Sequence, residues 1–266
     1  MDIPEHNRRA WNRLVERRDR WTRPVTPEEI ALARQGVVSL GLTPSKRMPS
    51  DWFPPLTGLK VLCLASGGGQ QGPILAAAGA DVTVYDNSPK QLEQDRFVAE
   101  REGLELRTVE GDMADLSCFE DASFEFIVHP ASNCFAEDVN PVWSQAYRAL
   151  VPGGTMVSGM VNPIAFLFDR ELEKQDVFQL KYGMPYSDLN SLSAAALQAL
   201  TDAEEPLMFA HSLDDLVGGQ LAVGFRLIGF YEDDWGGDEA IDRYLKSSFA
   251  TRSEKPMRSI SESGVE

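Results

Sequence analysis

The chain has 266 residues, 43% of them apolar, and a formal net charge of -16 at pH 7. This length and apolar content predict a folded protein with a well-buried core. The acidity argues against a nucleic-acid partner, because affinity for phosphate backbones comes largely from clustered Lys and Arg.

Residues 1–56 are predicted to form a helical cap and a linker that precede the core. A helical pattern covers residues 4–35, with a break at Pro24 and a restart after Thr26, where Glu29 completes a capping-box signature. The Pro- and Ser-rich segment at 42–58 is typical of a linker. The arginines crowded between residues 8 and 23 could offer a basic face to an anionic small molecule, but a solvated helix surface is the better interpretation.

From residue 57 onward, predicted strands and helices alternate. The strands are at 60–65, 81–85, 105–109, 124–128 and 155–160, and the helices are at 72–78, 89–102 and 141–150. Such alternation predicts a parallel sheet, because a helix must return the chain to the same edge after each strand. The expected fold class is therefore a doubly wound α/β sheet with helices on both faces.

The alternation stops after Asn162. Residues 163–208 contain two short helical patterns and several aromatic residues but no clear strand, so we predict an insertion over the edge of the sheet. A helix at 212–223, a strand at 225–233 and a last strand at 244–251 follow. The second domain is thus expected to span 57–252, and the polar tail at 253–266 is expected to be disordered.

A glycine-rich segment, Gly67 to Gly72, follows the first strand and matches the G-x-G-x-x-G pattern of dinucleotide sites. Glycines at a strand end let the backbone approach a ligand, and the next helix adds its positive N-terminus. Asp86 ends the second strand, where a carboxylate can accept both hydroxyls of a ribose. NAD and S-adenosyl-L-methionine both carry that ribose, so this pattern leaves both cofactors open.

The chain from the glycine-rich segment to Pro256 resembles the Rossmann-fold (class I) S-adenosylmethionine-dependent methyltransferases. "VLCLASGGG" resembles the first motif of the family, "VYDNSPKQLEQDR" its second-strand acid and helix, "VEGDMADL" its adenine-contacting turn, and "RALVPGGTMV" its entry to the fifth strand. "LVGGQLAVGFRLIGFYEDDW" and "YLKSSFATRSEKP" are similar to its late helix with sixth strand and to its terminal antiparallel strand. The resemblance implies a seven-stranded, mostly parallel sheet and S-adenosyl-L-methionine as the cofactor.

The resemblance also implies a set of cofactor-binding residues. Those at the methionine end of the cofactor would be Ala65, Ser66, Gly67 and Gly69. Those at the adenosine end would be Asp86 on the ribose, Asn87 and Ser88 beside it, and Asp112 and Met113 against the adenine.

Two positions depart from the family pattern. Cys63 stands where an acidic residue is usual, and Ala65 stands where a glycine is usual, so the amino group of the bound methionine would lack its usual partner. Two alternatives to a methyltransferase therefore stay open. One is an NAD-dependent oxidoreductase, supported by the glycine pattern, and the other is a non-catalytic S-adenosylmethionine-binding protein.

The methyl acceptor is expected near the end of the fourth strand, "IVHPASNCF". His129 is the candidate catalytic base or cofactor contact there, the alternative being a hydrogen-bonded histidine that shapes the turn. Methyl transfer from a sulfonium is an in-line displacement that needs mainly alignment and exclusion of water. The Asn-Pro-Pro-aromatic motif that the family uses on amide or base nitrogens is absent here, so we expect a small-molecule acceptor.

Aromatic residues of the cap and the insertion are candidates for a lid, with core packing as the alternative; they are Trp11, Trp21, Phe178, Tyr182 and Tyr186. The three cysteines and three histidines have no metal-ligand spacing, so no metal is expected. No apolar run reaches the roughly 20 residues that cross a bilayer, and the N-terminus lacks the apolar core of a signal peptide. We therefore expect a cytoplasmic protein without a membrane partner; the oligomeric state and the acceptor's identity stay open.

Overall fold

The computed structural model describes residues 1–257 and has an α/β fold. Its strands are β1 (Lys60–Leu64), β2 (Asp81–Asp86), β3 (Arg107–Glu110), β4 (Phe124–His129), β5 (Leu150–Val161), β6 (Tyr186–Ser187), β7 (Phe209–Ala210), β8 (Arg226–Asp233) and β9 (Ser248–Glu254). Its helices are α1 (Ile3–Glu16), α2 (Pro27–Arg34), α3 (Gln71–Ala77), α4 (Pro89–Glu102), α5 (Asn140–Ala149), α6 (Arg170–Glu173), α7 (Asp188–Ser191), α8 (Ala194–Asp202) and α9 (Gly219–Ala222). Residues 258–266, most of the predicted tail, lie outside the described residues.

Seven strands form one sheet in the order β3-β2-β1-β4-β5-β9-β8. Strands β1 to β5 run parallel, whereas β9 runs antiparallel to both of its neighbours. The predicted mostly parallel seven-stranded sheet with a terminal antiparallel strand is therefore confirmed. The strand order changes direction between β1 and β4, which is where open α/β sheets bind their ligands.

Burial along the strands follows from this order. In β1 the four residues after Lys60 are all buried, and in β4 every residue except Glu125 is buried. Central parallel strands are covered by helices on both faces, which explains these continuous apolar runs. The edge strand β8 instead alternates between exposed and partly buried residues until it reaches buried Asp233.

Two apolar layers cover the sheet. One packs residues of α2, α3 and α4 against one face, and its strand members include Cys63, Val84 and Phe126. The other packs α5 and the segment before α9 against the opposite face, around Trp143 and Met156. The α4 helix begins at the N-cap Ser88 and ends at Gly103, whose φ of 63° is the usual left-handed helix stop.

The cap and the linker are part of the core, so the expectation that they precede it is wrong. Ile30 of α2 is fully buried in the first apolar layer, and Leu42, Met48 and Trp52 of the linker are buried with it. The capping box predicted at Thr26 is present, with both reciprocal hydrogen bonds. Apolar residues spaced irregularly between prolines gave no signal of burial, because they follow neither a helical nor a strand period.

The insertion contains a strand, contrary to the prediction. Strand β6 pairs antiparallel with β7, which lies just beyond residue 208. Each strand has two residues, too few to produce an alternating pattern in the sequence.

Two later elements also differ from the prediction. The helix expected at 212–223 is a π-helical turn at Asp214–Gly218 followed by the four residues of α9. A Cβ on Gly219 would lie 2.8 Å from the Trp143 ring, so this glycine is needed for close packing on α5. Strand β9 begins at Ser248 and runs past residue 252 to Glu254. No helix within residues 1–257 is long and apolar enough to cross a membrane.

Candidate functional site

A cavity of about 750 Å³ lies at the carboxyl ends of β1, β2 and β4. Seven predicted cofactor-binding residues line it, and we call them the cofactor half: Ala65, Ser66, Gly67, Asp86, Asn87, Asp112 and Met113. Gly69, Ser88 and His129, which were predicted with them, are not among its lining residues.

The glycine-rich loop lies flat against the start of α4. A Cβ on Gly67 would be 2.7 Å from the Gln91 Cβ and 3.1 Å from the Asp86 carboxyl group. Gly68 and Gly69 have φ angles of 110° and 72°, which only glycine adopts without strain. Any side chain at these positions would lift the loop from α4, so the glycines let the loop pack closely on that helix.

Asp86 offers two carboxylate oxygens to the cavity, each of which accepts one backbone hydrogen bond. The Gly67 amide donates to Oδ2 at 2.9 Å and the Ser88 amide donates to Oδ1 at 2.9 Å. Each oxygen keeps a lone pair for a hydroxyl of the ligand. Burial raises the pKa of Asp86 to about 6, and the two backbone hydrogen bonds offset only part of that effect.

The turn after β3, where the adenine is expected, is held by its own hydrogen bonds and by a side chain of β2. The Asp112 carboxylate accepts the Ala114 amide at 2.9 Å. The Tyr85 hydroxyl donates to the Asp115 carbonyl at 2.6 Å, and a Cβ on Gly111 would lie 2.0 Å from that hydroxyl. Met113 is partly buried and packs against the second apolar layer. It also lines the cavity, where a flexible thioether can pack on a flat ring.

Ser88 and Gly69 support the site from behind. Ser88 is fully buried; its Oγ accepts the Gln91 amide at 3.1 Å as the N-cap of α4 and donates to Asn12 Oδ1 at 2.8 Å. Gly69 is buried against α4, where a Cβ would lie 2.8 Å from the Gln94 carbonyl oxygen, and its own carbonyl accepts the Val25 amide at 2.9 Å. Both residues thus have a structural role at the edge of the site, and their contact with the cofactor stays a prediction.

His129 is not at the mouth of the cavity, so that expectation is wrong. Its side chain is fully buried on the face of β4 that packs against α5, with its ring edge-on to Trp143 at 6.0 Å. Its Nδ1 donates to the Leu64 carbonyl at 2.9 Å. Burial lowers the pKa of His129 to about 4, so the ring is neutral at pH 7. Ser132 lines the cavity, whereas Asn133 does not and instead donates to the Gly159 carbonyl.

A second group of lining residues is apolar, and sequence reasoning identified only Trp11 among them. This apolar half consists of Ile3, Trp11, Cys134, Phe135, Val161, Ala165 and Met208. The Trp11 ring meets the Phe135 ring edge-to-face at 5.1 Å. Trp11 and Trp21 line the cavity as the lid hypothesis requires.

The other three lid candidates lie elsewhere. Tyr186 is buried against Phe166 and Tyr182, and Phe178 contacts Phe168 and Tyr244. None of the three lines the cavity. The alternative of core packing applies to Tyr182 and Tyr186, which pack in one apolar cluster, whereas Phe178 is only partly buried. No group of three or more His, Cys, Asp or Glu within residues 1–257 is arranged to hold a metal ion.

Comparison with known proteins identifies the family. A model of the methyltransferase domain matches residues 62–158. The uncharacterized methyltransferase YbaJ of Bacillus subtilis (strain 168) is 53% identical over 250 residues, which are 94% of this chain and 97% of that protein. The chain belongs to the class I S-adenosylmethionine-dependent methyltransferases. The cofactor of this methyltransferase is thus S-adenosyl-L-methionine, and the NAD alternative is set aside.

Solved structures show the same fold. An S-adenosylmethionine-dependent methyltransferase from Mesorhizobium loti is similar with a TM-score of 0.56 and 18% identity, over 77% of this chain and 94% of that one. A putative S-adenosylmethionine-dependent methyltransferase from Listeria monocytogenes is similar with a TM-score of 0.58 and 15% identity, again over 77% of this chain and 94% of that one.

The cofactor half of the methyltransferase fits S-adenosylmethionine on its own geometry. Asp86 has acceptor capacity for two ribose hydroxyls, and the absence of a side chain at Gly67 lets the loop lie directly against Asp86 and Gln91. Met113 supplies an apolar wall for a flat ring. These residues would hold the adenosine end of the cofactor, which would leave the rest of the cavity to the reacting groups.

Proposed function

We propose that this methyltransferase transfers a methyl group in line to a small-molecule acceptor held in the apolar half of the cavity. The observation that carries the proposal is the continuity of one cavity of about 750 Å³ from Asp86 to Trp11 and Met208. Pockets of about 300–1,000 Å³ hold small molecules, so the volume suits a cofactor with a compact acceptor beside it.

The walls of the apolar half favour an acceptor with an apolar body. Trp11 and Phe135 form one wall through their edge-to-face contact, and α1 brings Ile3 to the same space. Such walls exclude water from the reacting atoms, which favours displacement at a sulfonium methyl group. The bound cofactor supplies that electrophilic methyl group, and this chain supplies alignment and a dry environment.

The chemistry of the lining residues favours an acceptor that needs no strong base. His129 is turned away from the cavity, and its pKa of about 4 makes it a poor base at pH 7. Cys134 faces the cavity, but burial raises its pKa to about 12, so its thiol stays neutral. Thiols, amines and acidic carbon or oxygen centres are the acceptor atoms that fit such a site.

Cationic side chains in the cavity lining add a preference for an acidic group. Arg20, Arg23 and Arg47 line the cavity, and among residues 1–257 none of the three forms an ion pair with a carboxylate. Arg20 is held over Trp21 at 4.6 Å and over Trp235 at 4.9 Å. Unpaired guanidinium groups at a cavity in a chain of net charge -16 favour a carboxylate or phosphate on the ligand.

The test is a panel of acceptors assayed by release of S-adenosylhomocysteine. It contains small thiols, amines and phenols in pairs with and without a carboxylate, together with total tRNA and denatured protein. Turnover of small acceptors, with a higher KM in Trp11→Ala but not in the surface control Phe97→Ala, supports the proposal. Turnover of tRNA or protein alone contradicts it.

Arg47→Gln tests the charge preference. We expect it to raise the KM of the acidic member of a pair and not that of its neutral partner. The affinities of S-adenosylhomocysteine and 5′-methylthioadenosine, which lacks the carboxylate, show whether the cofactor's own carboxylate is the group that Arg47 binds. An unchanged KM for both members, with unchanged affinities for both nucleosides, contradicts the preference.

A further inference from the structure

A buried carboxylate that sequence reasoning missed lies beneath the glycine-rich loop. Asp95, on α4, is fully buried, and its Oδ2 accepts the Gly68 amide at 3.0 Å. Burial raises the pKa of Asp95 well above its usual range, and hydrogen bonds from the Gly68 and Gly69 amides offset only part of that effect. A buried carboxyl group destabilises a fold unless its hydrogen bonds compensate, so its presence points to a role at the loop.

The same carboxyl group lies near Cys63, since burial and then the charge of Asp95 raise the pKa of the Cys63 thiol. Cys63 pairs with Val84 across β1 and β2, and a Cβ on Gly72 would lie 2.5 Å from the Val84 side chain and 3.3 Å from Asp95 Oδ1. Cys63, Val84 and α4 all belong to one apolar layer. Oδ1 itself has no hydrogen-bond partner among the described residues. The position where the family pattern expects an acid is therefore an apolar thiol here, with a carboxylate from another element beside it.

We infer that Asp95 is a positioning residue for the cofactor loop, supplying from α4 the buried carboxylate that β1 lacks at Cys63. Asp95 does not line the cavity, so it acts through the loop and not on the cofactor. The Gly68 amide is shared between Asp95 Oδ2 at 3.0 Å and the Gln91 carbonyl at 3.1 Å, both on α4, and the preceding amide, that of Gly67, reaches Asp86 at 2.9 Å. The inference rests on S-adenosylmethionine as cofactor and is independent of the proposed acceptor.

The first test compares Asp95→Asn with Val98→Ala, the latter a truncation one turn along α4 in the same apolar layer. Titration calorimetry with S-adenosylhomocysteine measures affinity, and thermal unfolding measures stability. We expect Asp95→Asn to weaken binding roughly tenfold, since the side-chain amide offers one acceptor oxygen instead of two and a buried loop amide left without a partner costs about that much. We expect Val98→Ala to lower the melting temperature while changing the dissociation constant less than about twofold.

A second readout observes the loop itself. In glycine-selective ¹⁵N spectra of the unliganded protein, Asp95→Asn should shift the Gly68 and Gly69 amide signals and speed their hydrogen exchange, whereas Val98→Ala should leave both unchanged. An unchanged dissociation constant in Asp95→Asn, or equal weakening in Val98→Ala, overturns the inference.

The third test moves the carboxylate. Asp95→Ala removes it, and the double variant with Cys63→Asp returns a carboxylate to the same space from β1. We expect the double variant to bind S-adenosylhomocysteine more tightly than Asp95→Ala. Cys63→Asp alone should bind more weakly than wild type, because two carboxyl groups then share one buried space. A double variant that binds no better than Asp95→Ala contradicts the inference, and none of these measurements needs an acceptor.

Discussion

The cofactor half and the apolar half of the cavity are assembled in different ways. In the cofactor half, each residue comes from the end of a strand or the turn directly after it, as with Gly67 and Asp86. In the apolar half, contacts join distant segments: Asn7 of α1 bonds to Leu207, and Trp11 packs on Phe135. The first half is thus a property of the sheet, while the second depends on how two additions to the sheet meet.

The largest expected effect tests whether the cofactor half depends on one carboxylate. Asp86→Ala should weaken binding of S-adenosylhomocysteine roughly a hundredfold, because two hydrogen bonds to a charged group are lost at once. Asp81→Ala, an exposed residue at the other end of the same strand, is the matched control and should bind as wild type does. Calorimetric titration measures both. Comparable affinity in Asp86→Ala and Asp81→Ala would show that the ribose is held elsewhere.

The next effect tests how α1 is held against the segments of Phe135 and Leu207, which lie beside the apolar half. Asn7 donates to the carbonyls of Phe135 and Leu207 at 3.1 Å and accepts the Leu207 amide at 2.8 Å. Asn7→Ala should destabilise the fold by about 2 kcal/mol, because three buried backbone groups lose their partner. Urea unfolding measures this loss, with the exposed α1 variant Arg9→Ala as the control.

The same variant separates the halves functionally. Asn7→Ala should raise the acceptor KM while leaving the affinity for S-adenosylhomocysteine within about threefold, since the hydrogen-bond partners of Asn7 are Phe135 and Leu207 and not residues of the cofactor half. Equal loss of both affinities would mean that the two halves form a single unit.

This comparison also explains what the sequence could reveal. The sheet and the cofactor half were predictable because their signals are local: apolar strand runs, glycines after β1, and an acid at the end of β2. The apolar half was not, since the Asn7–Leu207 contact spans almost the whole chain and neither residue belongs to a motif. His129 was misplaced because the position of a residue along a strand does not indicate which face it occupies when both faces are buried. Asp95 was missed because the sequence does not distinguish a buried carboxylate on a helix from one that is exposed to solvent.

A smaller effect, in pH, tests the state of Asp86. Ligand hydroxyls donate to its ionised form, so binding of S-adenosylhomocysteine should be constant above pH 7 and fall about tenfold per unit below its pKa of about 6. The contribution of Asp86 to the free energy of unfolding of the unliganded protein changes with pH in the opposite direction. Because the folded pKa is raised above the usual 3.8, the contribution of Asp86 is present at low pH and is lost as pH rises through about 6.

Asp86→Asn is the control for this pH dependence. It removes the titration of Asp86 while leaving that of its buried neighbour Asp95, whose pKa the charge of Asp86 also raises. Any pH dependence left in Asp86→Asn therefore belongs to other groups. If the variant shows the full wild-type profile, Asp86 is not the titrating group.

The smallest effect concerns Ala65, the second departure from the family pattern. Its φ of 46° lies in the left-handed region, which costs alanine about 1–2 kcal/mol, whereas glycine adopts it freely at an entropic cost of about 0.5–1 kcal/mol. Ala65→Gly should therefore stabilise the fold by up to about 1 kcal/mol in urea unfolding. Ala122→Gly, with a φ of 54° in an exposed turn, is the matched control and should gain a similar amount.

The two variants should differ in binding. Ala65 lines the cavity and Ala122 does not, so only Ala65→Gly can change the affinity for S-adenosylhomocysteine. A gain in stability with weaker binding would mean that the alanine restricts the loop to its binding conformation, and that the strain is retained for the site. Equal stability gains with unchanged binding in both would mean that the strain at Ala65 serves no purpose at the cofactor half, which would then depend on its carboxylates and glycines alone.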